Sequence, residues 1–177
     1  MTMPNQHRYS ALSTINHWVT ALLVVVMLAL GYAAAAAPSE AVEGYVMGIH
    51  VSLGFFVFLF VAWRVIVRWY EGFPESTGQT ALERWSAYLM HRAILVLLAL
   101  LVITGPMYLF TEDECMNVFN WFSVCVPLES LSVIHEPMEW LHVYIGLYLL
   151  PALLVLHLVG AIHHYAVGGK QEDPSNL

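Results

Sequence analysis

Charge is what this chain lacks. Only 11% of its 177 residues are charged, against 59% hydrophobic, and Lys and Arg together number six. A water-soluble domain carries about a quarter charged residues, so the composition excludes that class and points to a membrane protein. No nucleic-acid partner is expected. Cysteine is nearly absent too: Cys115 and Cys125 are the whole set, and neither sits in a CxxC redox motif or a zinc pattern. There is no low-complexity linker and no internal repeat, so residues 1–177 read as one membrane domain.

Long apolar runs take the place of charge. Four of them, at about 15–37, 47–69, 85–110 and 140–167, are long enough to cross about 30 Å of hydrocarbon as helices. The expected fold is all-α: a transmembrane four-helix bundle running up-down-up-down. Residues 33–37 look like a small-residue cleavage site, but the first run is longer than a signal h-region and carries His17, so a retained helix is expected. All six cations, Arg8, Arg64, Arg68, Arg84, Arg92 and Lys170, fall on one side of this four-span reading. The positive-inside rule then puts both termini and the 70–84 loop in the cytoplasm, as expected for a multi-pass protein of the bacterial inner membrane. The opposite loops are acidic, with Glu40 and Glu43 in one and Glu112, Asp113, Glu114, Glu129, Glu136 and Glu139 in or beside the other. The second outer loop holds both cysteines and an apolar, aromatic middle (MNVFNWFSVCVPL). A disulfide is expected there, and the loop should lie on the membrane surface or cap the bundle. The inner connection, 71–83, has Gly72, Pro74 and Gly78 as breakers and reads as a short loop.

Within these runs stand four histidines: His17, His50, His142 and His157. An imidazole in hydrocarbon is expensive without a partner, so each is a functional candidate. His142 and His157 are fifteen residues apart on the last span, about 22 Å along a helix axis and about 60° in azimuth, so both can face the bundle interior. Depth pairs His17 with His157 near the inner surface and His50 with His142 near the outer one. Two facing pairs at two depths are what two bis-histidine haems require, with haem iron as the metal. Gly54 and Gly146 lie one turn beyond the outer histidines, and Gly31 reaches the outer level of the face that starts at His17. Missing side chains there would give a flat macrocycle room. Arg64 and Arg68 return to the face of His50 at the inner level, where guanidinium groups suit haem propionates or serve as positive-inside anchors. His91 and His164, at inner helix ends, suit proton exchange with a quinone or interfacial anchoring. His135 is the alternative outer ligand, and His7 reads as a solvated terminal residue.

These residues resemble the bacterial cytochrome b561 family of di-haem membrane cytochromes. The matching stretches are YSALSTINHW around His17, HVSLGFFVFLFVAWRVIVR from His50, HRAILVLLALLVITGP from His91 and HLVGAIHH from His157. The resemblance implies two b haems on His17, His50, His142 and His157, and electron exchange with ubiquinone. One member looks like a superoxide oxidase, whose quinone-contacting histidine would match His164, so an oxidoreductase of the superoxide:ubiquinone kind is a candidate. The family's outer ligand is often followed by an acidic residue; here Glu136 follows His135, whereas Val143 follows His142. Pro151 is placed to distort the helix between the ligands. The acidic outer loops favour a cationic periplasmic donor, such as a basic cytochrome c, over superoxide. Two other functions compete: a cytochrome b anchor subunit of a larger dehydrogenase, and a histidine-lined metal transporter. Transport is disfavoured because the span interiors lack acidic residues.

Overall fold

Four helices are long and apolar enough to cross a membrane, and they assemble as an antiparallel bundle; the computed structural model describes residues 11–73 and 80–168. His7, Arg8, Tyr9, Ser10, Pro74, Gly78 and Lys170 lie outside the described residues. The first three helices are α1 (Ala11–Ala35), α2 (Glu40–Glu71) and α3 (Ala81–Phe110). A hairpin of β1 (Met116–Val118) and β2 (Phe122–Val124) follows. The last span begins with a 3-10 turn, Glu129–Ile134, and continues through α4 (His135–Tyr144), a π-helical turn, Ile145–Leu149, and α5 (Leu150–Gly168).

The helix ends follow local chemistry. Ser39 caps α2 through its side chain on the Val42 N–H, with Glu40 and Glu43 in the first turn where a carboxylate opposes the positive end of the helix dipole. Gly72, at φ 73°, ends α2 in a conformation that glycine adopts without steric cost. Thr80 and Glu83 form a reciprocal capping box at the start of α3. At 32 residues α2 is about 48 Å long, more than the hydrocarbon core needs, so it projects past the membrane surface.

Because the surroundings are lipid, the packing is inverted relative to a soluble bundle. Leu22, Trp18, Leu158 and Ile162 point outward, while Ser13, Asn16 and Thr20 form a buried polar stripe on α1. The apolar core is small: Val24, Val57, Val61, Leu98, Ile145 and Leu150. A second cluster, Phe110, Met116 and Val118, seats the hairpin on Val51, Phe55 and Phe56 of α2. The Ser52 hydroxyl pins it, donating to the Asn117 carbonyl at 2.9 Å and accepting from the Phe119 N–H at 3.1 Å. Cys115 and Cys125 are joined as a disulfide across its base. The aromatic outer loop therefore does cap the bundle, as one of its two expected placements had it.

The spans differ from expectation mainly at the last one. The sequence places its start near residue 140, whereas the apolar helical run extends over Glu129–Ala166. Its early turns read as loop because Glu129, Glu136 and Glu139 break the apolar pattern. Pro137 falls in the first turn of α4, where its missing N–H costs nothing. All described arginines, Arg64, Arg68, Arg84 and Arg92, sit at one end of the bundle, here called the basic end; the hairpin and the acidic loops mark the other.

Candidate functional site

At the acidic end, α2 and α4 bring the rings of His50 and His142 together edge-on, with ring centroids 6.2 Å apart and ring planes at 83°. Two imidazoles joined through one metal, with bonds of about 2 Å and about 1.1 Å from each nitrogen to its ring centre, would stand about 6 Å apart. The observed spacing fits a bis-histidine iron, so the pair suits haem. His142 is oriented as a ligand should be. Its Nδ1 lies 3.1 Å from the Leu101 carbonyl, which can only accept, so Nδ1 carries the proton and Nε2 is left for iron. The Thr104 hydroxyl, 3.2 Å away, spends its own proton on the Leu100 carbonyl and completes the orientation. Nδ1 of His50 is buried with no hydrogen-bond partner.

Glycine shapes this level, but not quite where the sequence suggests. A Cβ on Gly105 would stand 2.8 Å from Cε1 of His142, so the absence of a side chain there makes room for the ligand ring itself. Gly31 lies against His50, its Cβ position 3.9 Å from Cε1. Gly54 and Gly146 face the side chains of Met27 and Leu101 at ordinary contact distances.

His135 has no nitrogen to spare. Its Nδ1 is engaged by the Tyr108 carbonyl at 3.2 Å and the Thr111 hydroxyl at 3.1 Å, and its Nε2 stands 3.2 Å from Glu112. These contacts tie the start of α4 to the end of α3. They leave His142 as the histidine that meets His50.

At the basic end a cavity of about 250 Å³ is lined by Ser13, Thr14, His17, Arg64, Arg68, His91 and His157. Arg64 donates to His17 Nδ1 at 2.9 Å and to the Asn16 side-chain oxygen at 3.3 Å. Arg68, itself buried, donates to the Ser13 hydroxyl and to the Gly72 carbonyl. The two arginines expected near propionates therefore share a cavity with His17 and His157. So does His91, whose ring centroid is 5.3 Å from that of His157. His164 stands exposed near the end of α5 and is not among the cavity's lining residues. Among the described residues no three His, Cys, Asp or Glu side chains converge to hold a bare metal ion, whereas haem iron asks the protein for only two axial ligands.

One spacing explains both levels. His17 and Gly31 on α1, His50 and Arg64 on α2, and His91 and Gly105 on α3 are each fourteen residues apart. Fourteen α-helical steps advance about 21 Å and return to within about 40° of the same azimuth, so each helix presents one interior residue per level. The acidic level thus holds two histidines and two glycines; the basic level holds three histidines and an arginine. Sequence reasoning reached this register on α1 and α2. It missed Gly105, Thr104, Asn16 and Ser13. The signals were present as the Thr104-Gly105 pair fourteen residues past His91, and as Ser13, Asn16 and Thr20 at helical spacing within an otherwise apolar run.

The sequence also matches known proteins. Residues 8–171 match the family described as prokaryotic cytochrome b561. The chain is also 26% identical over 165 residues to cytochrome b561 homolog 2 of Escherichia coli (strain K12), covering 90% of this chain and 86% of that protein. The chain belongs to the prokaryotic cytochrome b561 family, and is a multi-pass membrane protein of a family of b-type haem electron carriers.

Proposed function

We propose that this member of the prokaryotic cytochrome b561 family carries two b haems and moves electrons between a periplasmic donor and ubiquinone across the bacterial inner membrane. The observation that carries the reading is the 6.2 Å separation of the His50 and His142 rings, a spacing suited to one iron between them. The second haem is assigned to His17 and His157 in the basic-end cavity; for His17 to offer Nε2 its Nδ1 must carry the proton, so Arg64, which donates to that nitrogen here, would turn to a propionate when haem binds. Both termini lie in the cytoplasm, which makes the acidic end the periplasmic one.

Bound haem supplies the one-electron couple. The protein's own residues do the rest. Leu101 and Thr104 hold His142 in the tautomer that offers Nε2. Arg64 and Arg68, which line the basic-end cavity, would hold the propionates of a haem bound there, because a guanidinium fork matches a carboxylate. His91 lines that same cavity and is the group placed to pass protons to or from a quinone; exposed His164 serves the same exchange nearer the membrane surface. The carboxylates and hairpin at the acidic end form the face that a donor meets, either superoxide or a cytochrome c, and their charge favours the cationic partner.

The test is haem quantitation and a reduced-minus-oxidised spectrum of the purified protein, followed by mixing the chemically reduced protein with a ubiquinone analogue. The reading expects two b haems per chain and rapid reoxidation by the quinone. A protein that holds no haem, or whose reduced haems the quinone leaves reduced, would overturn it.

A further inference from the structure

The last span departs from the fourteen-residue register: His142 and His157 are fifteen residues apart. In an unbroken α-helix that surplus residue would set the two rings about 100° out of step with the interval used by the other three helices. The chain does not run as an unbroken α-helix here. Between the two histidines lies the π-helical turn Ile145–Leu149, closed by the Leu150 N–H on the Ile145 carbonyl. Such a turn holds one residue more than an α-turn, so the interval behaves as about fourteen steps.

Two residues account for the turn. Pro151 has no N–H to return to the carbonyl of Leu147, four residues earlier. That carbonyl, left in a lipid-facing helix, needs another donor. It receives the hydroxyl of Tyr32, which reaches across from α1. Tyr32 is the neighbour of Gly31, the residue α1 presents at the acidic level, so the bond ties the wide turn to that level of the bundle.

We propose that Tyr32 is a positioning residue that, with Pro151, holds the wide turn open and thereby brings His142 and His157 onto one interior face. The inference rests on reading these two histidines as haem ligands. It separates the fourth span from the other three, whose interior residues keep the fourteen-residue interval without such a turn.

The experiment compares three full-length proteins in nanodiscs: wild type, Tyr32→Phe, and a variant with Leu149 deleted together with Pro151→Ala. Amide hydrogen exchange over 145–152 is measured alongside haem content and the low-temperature EPR spectrum. In Tyr32→Phe, exchange across the turn should quicken about fivefold, the factor for one hydrogen bond of ordinary strength. The EPR signal of the His50–His142 haem should shift while the other haem keeps its own. The deletion variant has a regular fourteen-step interval and should keep both haems with near-wild-type signals. Unchanged exchange in Tyr32→Phe, or loss of a haem in a folded deletion variant, would overturn the proposal. Should the deletion variant fail to fold, the exchange result in Tyr32→Phe decides alone. A wild type without haem would sink the functional reading instead, and the exchange comparison would still decide whether Tyr32 holds the turn.

Discussion

Gly105→Ala is a one-carbon change that should remove one haem. The added methyl would stand 2.8 Å from Cε1 and 3.2 Å from Nδ1 of His142. Carbon atoms settle at about 3.5–4.0 Å, so the ring must retreat by roughly 0.7–1.2 Å or the two helices must part. Its bonds to the Leu101 carbonyl and the Thr104 hydroxyl, at 3.1 and 3.2 Å, have no slack for that and would be lost. Metal–ligand distances tolerate only about 0.2 Å, so a ring displaced this far cannot keep its bond to an iron shared with His50. Loss of orienting bonds alone typically costs about 10–100-fold in metal affinity.

Haem per chain should therefore fall from about two towards one, with the remaining signal that of the basic-end haem. Replacing glycine by alanine inside a helix usually favours the helix by about 0.5–1 kcal/mol, so weaker helix formation cannot explain a loss. Gly160→Ala is the control, because nothing lies within 4 Å of its Cβ position, and it should retain both haems. If Gly105→Ala keeps two haems and the wild-type EPR spectrum, His142 is not held against Gly105 as a ligand and the acidic-end assignment fails.

Other substitutions divide the histidines. His50→Ala and His142→Ala should each lose the acidic-end haem, and His17→Ala and His157→Ala the basic-end one, by haem quantitation. His135→Ala should keep both and only loosen the junction of α3 and α4, because its nitrogens are already engaged by Tyr108, Thr111 and Glu112. Haem loss in His135→Ala but not in His142→Ala would reverse the acidic-end assignment. Charge at the donor face can be read by stopped flow. Reaction with a basic cytochrome c should slow as ionic strength rises and reaction with superoxide should quicken; superoxide oxidation that is near diffusion control and slows with salt would contradict the electrostatic argument.

What was legible in the sequence follows from where side-chain chemistry, rather than backbone geometry, decides the outcome. Four spans can be seen because hydrocarbon demands long apolar runs, and depth pairing of His50 with His142 follows from rise per residue alone. The hairpin could not be seen. Its turn places Phe119 and Asn120 in the left-handed region, at φ 49° and 59°, without the Asn-Gly or Asp-Gly pair that usually announces such a turn. Pro151 marked the distortion in the last span, but not that Tyr32, more than a hundred residues away, would satisfy the carbonyl that the proline leaves free. Gly105 stayed hidden for a plainer reason: its role is to be absent, and only the partner ring reveals it. The sequence puts His91 at the basic end of the bundle, but its level with His157 follows only from the fourteen-residue His91–Gly105 interval.

Were each level to hold a haem, as proposed above, the charge difference between the levels would bias the direction of electron flow. Positive charge favours the reduced iron, which is one unit less positive than the oxidised form, and negative charge favours the oxidised iron. Arg64 touches the ring of His17, and Arg68 lines the same cavity. At the other end the described residues within reach of the donor face include Glu40, Glu43, Glu112, Asp113, Glu114, Glu129, Glu136 and Glu139, with no arginine or lysine among them. A guanidinium contact plus the width of an imidazole puts the Arg64 charge at about 8 Å from an iron on His17; at an effective dielectric of about 20 that is worth about 2 kcal/mol. For a one-electron couple this is about 90 mV, less whatever a paired propionate cancels. The basic-end haem should therefore have the higher midpoint potential, and electrons should run from the acidic end to the basic end, towards the cavity that holds His91. Arg64→Gln should lower the potential of that haem by tens of millivolts and leave the other within error, as measured by potentiometric titration with the two α-bands resolved. Equal shifts at both haems, or a higher potential at the acidic end in the unsubstituted protein, would show that propionates or burial outweigh these arginines and that the charge gradient does not set the direction.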